Sequence, residues 1–158
     1  MYPSLHYRVW ESRDLHQLVR LFDRYRQFYR CDSNLDAAHA WLSANFELAR
    51  STVLVADTDQ ELIGFTQLYP ALCSVELTPY FVLYDLFVEE KARRQGVARG
   101  LMHAAKDWAT GQGAARIDLE TARDNQQAQG LYRDLGYQLD AVFLKFSLDL
   151  GNRPTDST

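Results

Sequence analysis

The segment Arg93–Ala98 combines residues that suit a phosphate-binding loop. Gly96 permits the main chain to turn sharply and approach a ligand without an intervening side chain. A helix is predicted to start there, and its first turn offers unpaired N–H groups and the positive end of the helix dipole. With Lys91, Arg94 and Arg99 around it, this segment predicts a pyrophosphate cradle. A plain strand-to-helix connection with solvated charges fits the same residues.

The pattern of apolar residues predicts the elements that must position this loop. Alternation predicts strands over His6–Glu11, Thr52–Ala56, Leu62–Tyr69, Tyr80–Val88 and Ala115–Thr121, with closing strands at Tyr137–Leu139 and Phe143–Leu148. Helical spacing predicts helices over about 13–30, 35–49, 97–108 and 125–135. Pro70 is expected to end its strand. This order predicts an α/β sandwich with a mixed central sheet of six or seven strands flanked by about four helices.

Length and composition describe one ordinary globular domain. The 158 residues are 47% hydrophobic and 24% charged, and we predict a single domain over residues 3–150 with an unstructured tail at 151–158. No stretch approaches the ~20 continuous apolar residues that a membrane span requires. The N-terminus lacks the pattern of a signal peptide, so a cytoplasmic protein is expected.

The net charge, the cysteines and the histidines limit which ligands and partners are expected. The net charge of −4 argues against a nucleic-acid partner and favours a cationic ligand. Cys31 and Cys73 lack CxxC spacing, which favours free thiols over a disulfide. No metal site is predicted, because the four histidines are scattered along the chain.

Two motifs together identify a family. The first is [Gln/Arg]-x-x-Gly-x-[Gly/Ala], matched by Arg93, Gly96 and Ala98. The second is Asn-x-x-Ala-x-x-x-Tyr-x-x-x-Gly-[Tyr/Phe], matched by Asn125, Ala128, Tyr132, Gly136 and Tyr137. With these motifs the chain resembles the GNAT acetyltransferases, specifically over residues 80–148. Within that family it is most similar to the polyamine acetyltransferases and their yeast histone- and amine-acetylating relatives.

The resemblance implies an acetyl-CoA site. The main chain of Leu86–Val88 would pair with pantetheine, and amides at Arg94–Arg99 would bind the pyrophosphate. Asn125 would bond the pantetheine arm, and Tyr132 would protonate the leaving thiolate. The apolar helical stripe around Tyr132 also fits a core position for this ring. The implied cofactor-binding set is Leu86, Phe87, Val88, Arg93, Arg94, Gln95, Gly96, Val97, Ala98, Arg99 and Asn125.

Three alternatives are open for the general base. Glu120 is favoured, since it precedes Tyr132 at the offset seen in bacterial enzymes that acetylate the N-terminus of a ribosomal protein. A solvent-facing charge on a half-exposed strand also fits Glu120. Asp85 matches an aspartate of the polyamine acetyltransferases, but their preceding glutamate is replaced here by Tyr84. Strand alternation turns Asp85 away from Tyr84. Asp85 therefore either acts indirectly, through residues that contact the substrate, or is turned toward the substrate by a β-bulge and acts as the base. A water chain without a single base is the third alternative.

Aromatic residues and carboxylates are abundant in the segments that select the acceptor in this family, residues 13–29, 34–50 and 72–81. This composition suits an organic cation, and a normal helix core with solvated charges fits it equally. A polyamine, diamine or lysine-like amine is favoured as acceptor, by direct transfer in a ternary complex. A peptide or protein amine, an aminoglycoside, and a non-catalytic acyl-CoA sensor are the alternatives. Close relatives also imply a homodimer.

Overall fold

The computed structural model describes residues 4–151, which divide into two compact units. The first, here called the sheet unit, extends to Glu120, and the C-terminal unit starts at Thr121. The single domain over residues 3–150 stays a prediction. The predicted tail falls almost entirely outside the described residues.

The sheet unit contains five strands and three helices in the predicted order. They are β1 (His6–Val9), α1 (Leu15–Phe28), α2 (Leu35–Glu47), β2 (Thr52–Asp57), β3 (Leu62–Cys73), β4 (Thr78–Val88), α3 (Val97–Gly111) and β5 (Ile117–Leu119). The strands lie side by side in chain order, antiparallel except for the parallel pair β4 and β5. The predicted α/β fold with a mixed sheet is therefore confirmed. The C-terminal unit contains α4 (Gln126–Asp134).

Apolar side chains fill both faces of the sheet. On one face, Leu18 and Phe22 of α1 and Leu42 of α2 pack against Phe65 and other buried residues of the strands. On the opposite face, α3 packs on the sheet through a second group of buried residues: Ala56, Ile63, Val88, Ala92, Val97 and Leu101. The strands β3 and β4 are thus covered on both faces, as their near-continuous apolar runs predict.

The described residues contain five strands, so the prediction of six or seven is wrong. Neither Tyr137–Leu139 nor Phe143–Leu148 forms a strand. Both segments alternate in polarity, but a strand also needs a neighbour that pairs with its main chain. Such a partner is not present beside either segment among the residues described.

Pro70 does not end β3, which continues to Cys73. β2 pairs with β3 only as far as Leu68, so Pro70 lies in the part of β3 that pairs with β4 alone. One side of the strand needs no hydrogen-bond donor there, and proline is tolerated at such an edge. The prediction failed because it assumed a partner on both sides.

β4 contains one residue more than the stretch of β3 that faces it. The register pairs Asp85 with Gln67 but Leu83 with Leu68, so Tyr84 stands between two paired positions and forms a β-bulge. A bulge increases the local twist and bends the strand that carries it. The parallel ladder with β5 ends at Leu83, immediately before this bend. The predicted strand Ala115–Thr121 is therefore too long: β5 covers only Ile117–Leu119, although the N–H of Ala115 and the carbonyl of Arg116 also bond to the main chain of β4.

The bulge also changes which face of the sheet the residues of β4 occupy. Phe81, before the bulge, packs on Trp108 of α3 with ring centroids 4.8 Å apart. Phe87, after the bulge, packs on Tyr25 of α1 at 6.4 Å. Phe87 follows Phe81 by six positions, an even offset, so strict alternation would place both on one face. The extra residue at Tyr84 moves the second half of β4 onto the face of α1.

Arg8 of β1 joins the start of the first helix to the sheet. Its guanidinium donates to both carboxylate oxygens of Asp14, at 2.6 and 2.9 Å, and to Oδ2 of Asp57, at 2.6 and 3.0 Å. Asp14 is buried and also accepts the main-chain N–H of Glu11 at 2.7 Å. Arg8 therefore neutralises a buried carboxylate and holds β1, β2 and the start of α1 together.

Replacing Arg8 by Ala should lower the free energy of unfolding at pH 7 by about 3 kcal/mol, because the buried charge of Asp14 loses its cation. Urea denaturation followed by circular dichroism measures this change. Arg13→Ala is the matched control, since Arg13 forms an ion pair with Glu11 in which both side chains are exposed. That control should change the free energy by less than ~1 kcal/mol. Equal losses in the two variants would contradict the role given to Arg8.

Candidate active site

Asp85 is a buried carboxylate on the α1 face of β4. Only 4% of the residue is exposed, and it is the one acid in the run Tyr80–Val88. Burial raises its pKa to about 6, and a hydrogen bond with Tyr25 opposes that rise. Asp85 is therefore ionised at neutral pH but takes up a proton in mild acid. A group with this pKa suits general acid–base chemistry near neutrality.

Tyrosines from three elements surround this carboxylate. Tyr25 of α1 bonds to Asp85, and burial followed by the charge of Asp85 raises the pKa of Tyr25 well above its usual value. The same two causes raise the pKa of Tyr29, and raise that of Tyr69 on β3 to about 12. The exposed ring of Tyr84 packs edge-on against Tyr69 at 6.0 Å. The hydroxyls of Tyr25, Tyr29 and Tyr69 are therefore protonated at neutral pH and are available as hydrogen-bond donors.

Gln67 is the direct cross-strand neighbour of Asp85. Its side chain is fully buried, and its Nε2 donates to Ser51 Oγ at 2.6 Å. Within residues 4–151 its Oε1 has no hydrogen-bond partner. Directly opposed side chains in an antiparallel pair have Cβ atoms ~5 Å apart. Two polar groups thus lie side by side in an otherwise apolar pair of strands.

The outer edge of β4 is open beyond the bulge. β5 pairs with Phe81–Leu83 only, and no described strand pairs with that side of residues 84–88. Main-chain N–H and C=O groups on this edge, apart from the carbonyl of Val88, which accepts a hydrogen bond from Arg93, are therefore available to an extended ligand, in the manner of an added strand. This edge includes Leu86–Val88, the segment whose main chain is predicted from the sequence to pair with pantetheine.

The segment Arg93–Ala98 leads from this edge into α3. Gly96 has a φ of 83° and precedes the first helical residue, and a Cβ added to it would meet nothing within 4 Å. The first N–H of the helix that bonds within it is that of Gly100, to the carbonyl of Gly96 at 3.0 Å. The amides of Val97 and Ala98 thus precede the first hydrogen bond of the helix, as the predicted phosphate cradle requires.

The side chain of Arg93 turns back toward the sheet. Its Nε donates to the carbonyl of Val88 at 3.0 Å, and its guanidinium lies 6.0 Å from the ring of Phe28 and 5.8 Å from that of Phe87. Arg93 therefore fixes the loop to the end of β4. An open groove with a volume of ≈ 420 Å³ runs beside it, lined by Arg24, Gln27, Phe28, Phe87, Glu89, Glu90 and Arg93.

The other predicted residues belong to the end of the sheet unit and to the C-terminal unit. Glu120 follows β5 directly and is exposed. In the C-terminal unit, Asn125 caps α4, since its Oδ1 accepts the N–H of Ala128 at 3.2 Å. Tyr132 is half-buried, with its ring centroid 6.0 Å from that of Tyr137. The structure thus brings together Asp85, the open edge of β4 and the loop, all within the sheet unit.

Residues 4–151 contain neither a metal-binding cluster nor a membrane-spanning helix. No three histidine, cysteine, aspartate or glutamate side chains gather there in an arrangement that would hold a metal ion. In the same part of the chain, no helix has the length and apolar character needed to cross a bilayer.

Comparison with known proteins gives a consistent result. A model of the acetyltransferase (GNAT) family matches residues 15–137. The N-acetyltransferase YhfO of Bacillus subtilis is 40% identical over 143 residues, which cover 90% of this chain and 96% of that protein. A crystal structure of a probable acetyltransferase superposes with a TM-score of 0.88 at 33% identity, covering 94% of this chain and 99% of the other. A D-amino-acid N-acetyltransferase of Saccharomyces cerevisiae is 32% identical over 93 residues, 58% of each protein.

Sequence reasoning missed Gln67 and Tyr69 and favoured Glu120 over Asp85. A signal for Asp85 was present, because one charge in a nine-residue apolar strand must be buried and its pKa shifted. No comparable signal existed for Gln67 or Tyr69. Their closeness to Asp85 depends on the register between β3 and β4, which the bulge sets.

The hydrogen bond with Tyr25 lowers the pKa of Asp85, so Tyr25→Phe should raise this pKa further above 6. Titration of the Asp85 carboxyl carbon by NMR measures the change. Tyr29→Phe is the control, because Tyr29 senses the charge of Asp85 without a hydrogen bond to it. This control should leave the pKa of Asp85 nearly unchanged, and an unshifted titration in Tyr25→Phe would contradict the assignment.

Proposed function

The chain belongs to the GNAT acetyltransferase family, and on that basis we propose that it transfers the acetyl group of acetyl-CoA to a primary amine, with Asp85 as the base. One observation carries this proposal: a buried carboxylate with a pKa of about 6 lies on the strand whose open edge leads into the Arg93–Ala98 loop. An amine must lose its proton before it attacks a carbonyl, and this carboxylate is ionised at the pH where that is needed.

Acetyl-CoA is the proposed co-substrate, and it supplies an activated thioester. The residues that would hold it fit an extended molecule that ends in phosphates. The open main chain of Leu86–Val88 suits the amides of pantetheine, and the amides after Gly96 suit pyrophosphate oxygens. Arg93 holds this loop in place from within, through Val88. In the C-terminal unit, Asn125 and Tyr132 keep the roles that the family motif gives them, as ligand of pantetheine and as proton donor.

The surroundings of Asp85 support a cationic acceptor. Tyrosine rings with one buried carboxylate attract an ammonium group both through the charge and through the ring faces. The acceptor classes that fit are small organic amines: a polyamine, a diamine or a lysine-like molecule. The yeast relative is named for the acetylation of D-amino acids, which are also small amines. A peptide or protein amine is the alternative acceptor.

The proposed reaction is a direct transfer in a ternary complex. The carboxylate of Asp85 binds the ammonium of the acceptor and accepts its proton, directly or through water. The hydrogen bond from Tyr25 holds the carboxylate in place during this step. Main-chain N–H groups on the open edge of β4 stabilise the negative charge that develops in the transition state. Positioning both reactants on one strand can lower the activation free energy by ~7–11 kcal/mol.

Gly96→Asp should abolish binding of coenzyme A, because it adds a carboxylate where phosphate oxygens would lie. Isothermal titration calorimetry with coenzyme A measures the loss, expected to be at least ~100-fold in Kd. Gly113→Asp is the matched control, since Gly113 also has a positive φ, of 74°, with nothing within 4 Å of an added Cβ. That control carries the same charge and backbone strain at another site. Unchanged affinity in Gly96→Asp would contradict the assignment of this loop.

Asp85→Asn should lower kcat/KM at pH 7.5 by about 10²–10⁴-fold, the usual contribution of a general base. In the wild type, kcat/KM should fall below a pH of about 6, where Asp85 becomes protonated. The variant should lose this acid limb and recover activity at high pH, where the free amine is abundant. A thiol-release assay with acetyl-CoA and a panel of polyamines, amino acids, aminoglycosides and peptides gives these profiles.

Glu120→Gln is the comparison variant, because Glu120 is the exposed alternative base. Near-normal activity in Glu120→Gln beside a collapsed Asp85→Asn supports Asp85, and the reverse result assigns the base to Glu120. A chain that binds acetyl-CoA but releases thiol with no member of the panel would instead support the acyl-CoA sensor.

A further inference from the structure

Gln67 is a buried residue whose side-chain amide is only half used by the fold. The residue is completely shielded from solvent, and its Nε2 donates to Ser51 Oγ at 2.6 Å. Its Oε1 accepts no hydrogen bond from any group in the described part of the chain. A buried carbonyl oxygen without a partner is destabilising, so such oxygens are rare in folded proteins. The bond to Ser51 therefore accounts for the amide nitrogen and leaves the oxygen without a role.

The register of the sheet places Gln67 directly opposite Asp85. Side chains in such an antiparallel pair lie on the same face, with Cβ atoms ~5 Å apart. The pair two positions along, Phe65 and Phe87, packs among the buried residues of α1, so Gln67 and Asp85 also face this helix. A glutamine side chain is long enough to bring its terminal oxygen to a carboxyl group in the opposite position.

Ser51 determines which end of the Gln67 amide points toward Asp85. Ser51 precedes β2, and β2 and β4 lie on opposite sides of β3. The amide nitrogen bonds toward β2, and the oxygen is on the other branch of the planar amide. The unpartnered oxygen therefore lies on the side of β4, where Asp85 is.

The described titratable groups around Asp85 are tyrosines: Tyr25 and Tyr29 of α1, Tyr69 of β3, and Tyr84 of β4, which packs on Tyr69. Tyr25 bonds to the carboxylate and favours its ionised form. A protonated carboxyl group has an O–H to donate, so it needs an acceptor instead. The unpartnered amide oxygen on the opposite strand is an acceptor of this kind.

We propose that Gln67 is a positioning residue for the acetyl transfer, and that its Oε1 accepts the carboxyl O–H that Asp85 gains from the acceptor amine. This inference rests on the proposed function, in which Asp85 is the base. The ammonium group gives one proton to the carboxylate and keeps its electron pair for attack on the thioester. The new O–H donates to Gln67, and the carboxyl group releases its proton to water after the transfer. Tyr25 thus stabilises the form of Asp85 that starts the reaction, and Gln67 stabilises the form that proton transfer produces.

Titration of the Asp85 carboxyl carbon by NMR tests this pairing without any acetyl transfer. Gln67→Met keeps an unbranched side chain of similar length but removes the acceptor, so it should lower the pKa of Asp85 by about one pH unit. Circular dichroism checks that the variant retains the fold. An unchanged pKa overturns the proposal. A raised pKa also overturns it, because the amide would then be a donor to the ionised carboxylate.

Thr66→Val is the matched control for this titration. Thr66 is the preceding residue of β3, is fully buried, and donates to the main-chain carbonyl of Asp85 at 2.9 Å. Its side chain lies on the opposite face of the sheet, because side chains alternate along a strand. The control should leave the pKa of Asp85 nearly unchanged. A decrease equal to that in Gln67→Met would show a general effect of altering β3 and would overturn the specific role of Gln67.

Gln67→Glu tests whether the two side chains are in contact. Two buried carboxyl groups side by side cannot both ionise easily, so the upper pKa of the pair should exceed the wild-type pKa of Asp85 by at least about one pH unit. Two independent titrations, with Asp85 unshifted, would show that the side chains are too far apart and would overturn the proposal.

The pH dependence of kcat/KM in the thiol-release assay connects the pairing to the reaction. In Gln67→Met the acid limb should move to lower pH together with the NMR titration, and kcat at pH 7.5 should fall about 3–10-fold because Asp85 is a weaker base. The KM for acetyl-CoA should not change. A shifted titration with an unshifted acid limb would contradict Asp85 as the base. An unshifted titration would overturn the role of Gln67 alone and leave the proposed acetyl transfer intact.

Discussion

The β-bulge at Tyr84 is the constraint on which the candidate site depends. One extra residue in β4 ends the ladder with β5, exposes the edge of the strand from residue 84 to residue 88, and moves Asp85 to the face of α1. Without it, alternation would direct Asp85 toward α3, on the face where Phe81 packs. The open edge and the buried carboxylate thus have one cause, which explains why both occur within a few residues on the same strand.

Asp85 is buried in a mostly apolar environment that contains a few hydrogen-bond donors. Burial removes water from the carboxylate and raises its pKa, while the hydroxyl of Tyr25 stabilises the ionised form. Electrostatic interactions are stronger in such a setting than in water, both with a substrate and with neighbouring dipoles. A few donors in an apolar pocket can therefore set the protonation state of this group more sharply than a surface ion pair could.

Sequence patterns predict most of the sheet unit, because its elements bury one or both faces and each burial leaves a periodic signal. The turn at Gly96 was also predictable, since it requires a particular residue type. Three things were not. Pro70 and the short β5 depend on where a partner strand stops, and the burial of Asp85 on the face of α1 depends on the bulge. The predicted closing strands illustrate the same limit, because alternation in Phe143–Leu148 specifies an apolar face but does not supply the neighbouring strand that pairing requires.

The buried carboxylate has a consequence for the stability of the fold. An aspartate in an unfolded chain has a pKa of ~3.9, and the pKa of Asp85 in the folded chain is about 6. Between these two values the folded state binds more protons than the unfolded state, so the free energy of unfolding decreases as the pH rises. Above pH 6 the ionised Asp85 therefore costs about 3 kcal/mol, at ~1.4 kcal/mol for each pKa unit. The charge that suits this residue to chemistry is maintained against the preference of the fold, and the packing of the two helical layers must supply the difference.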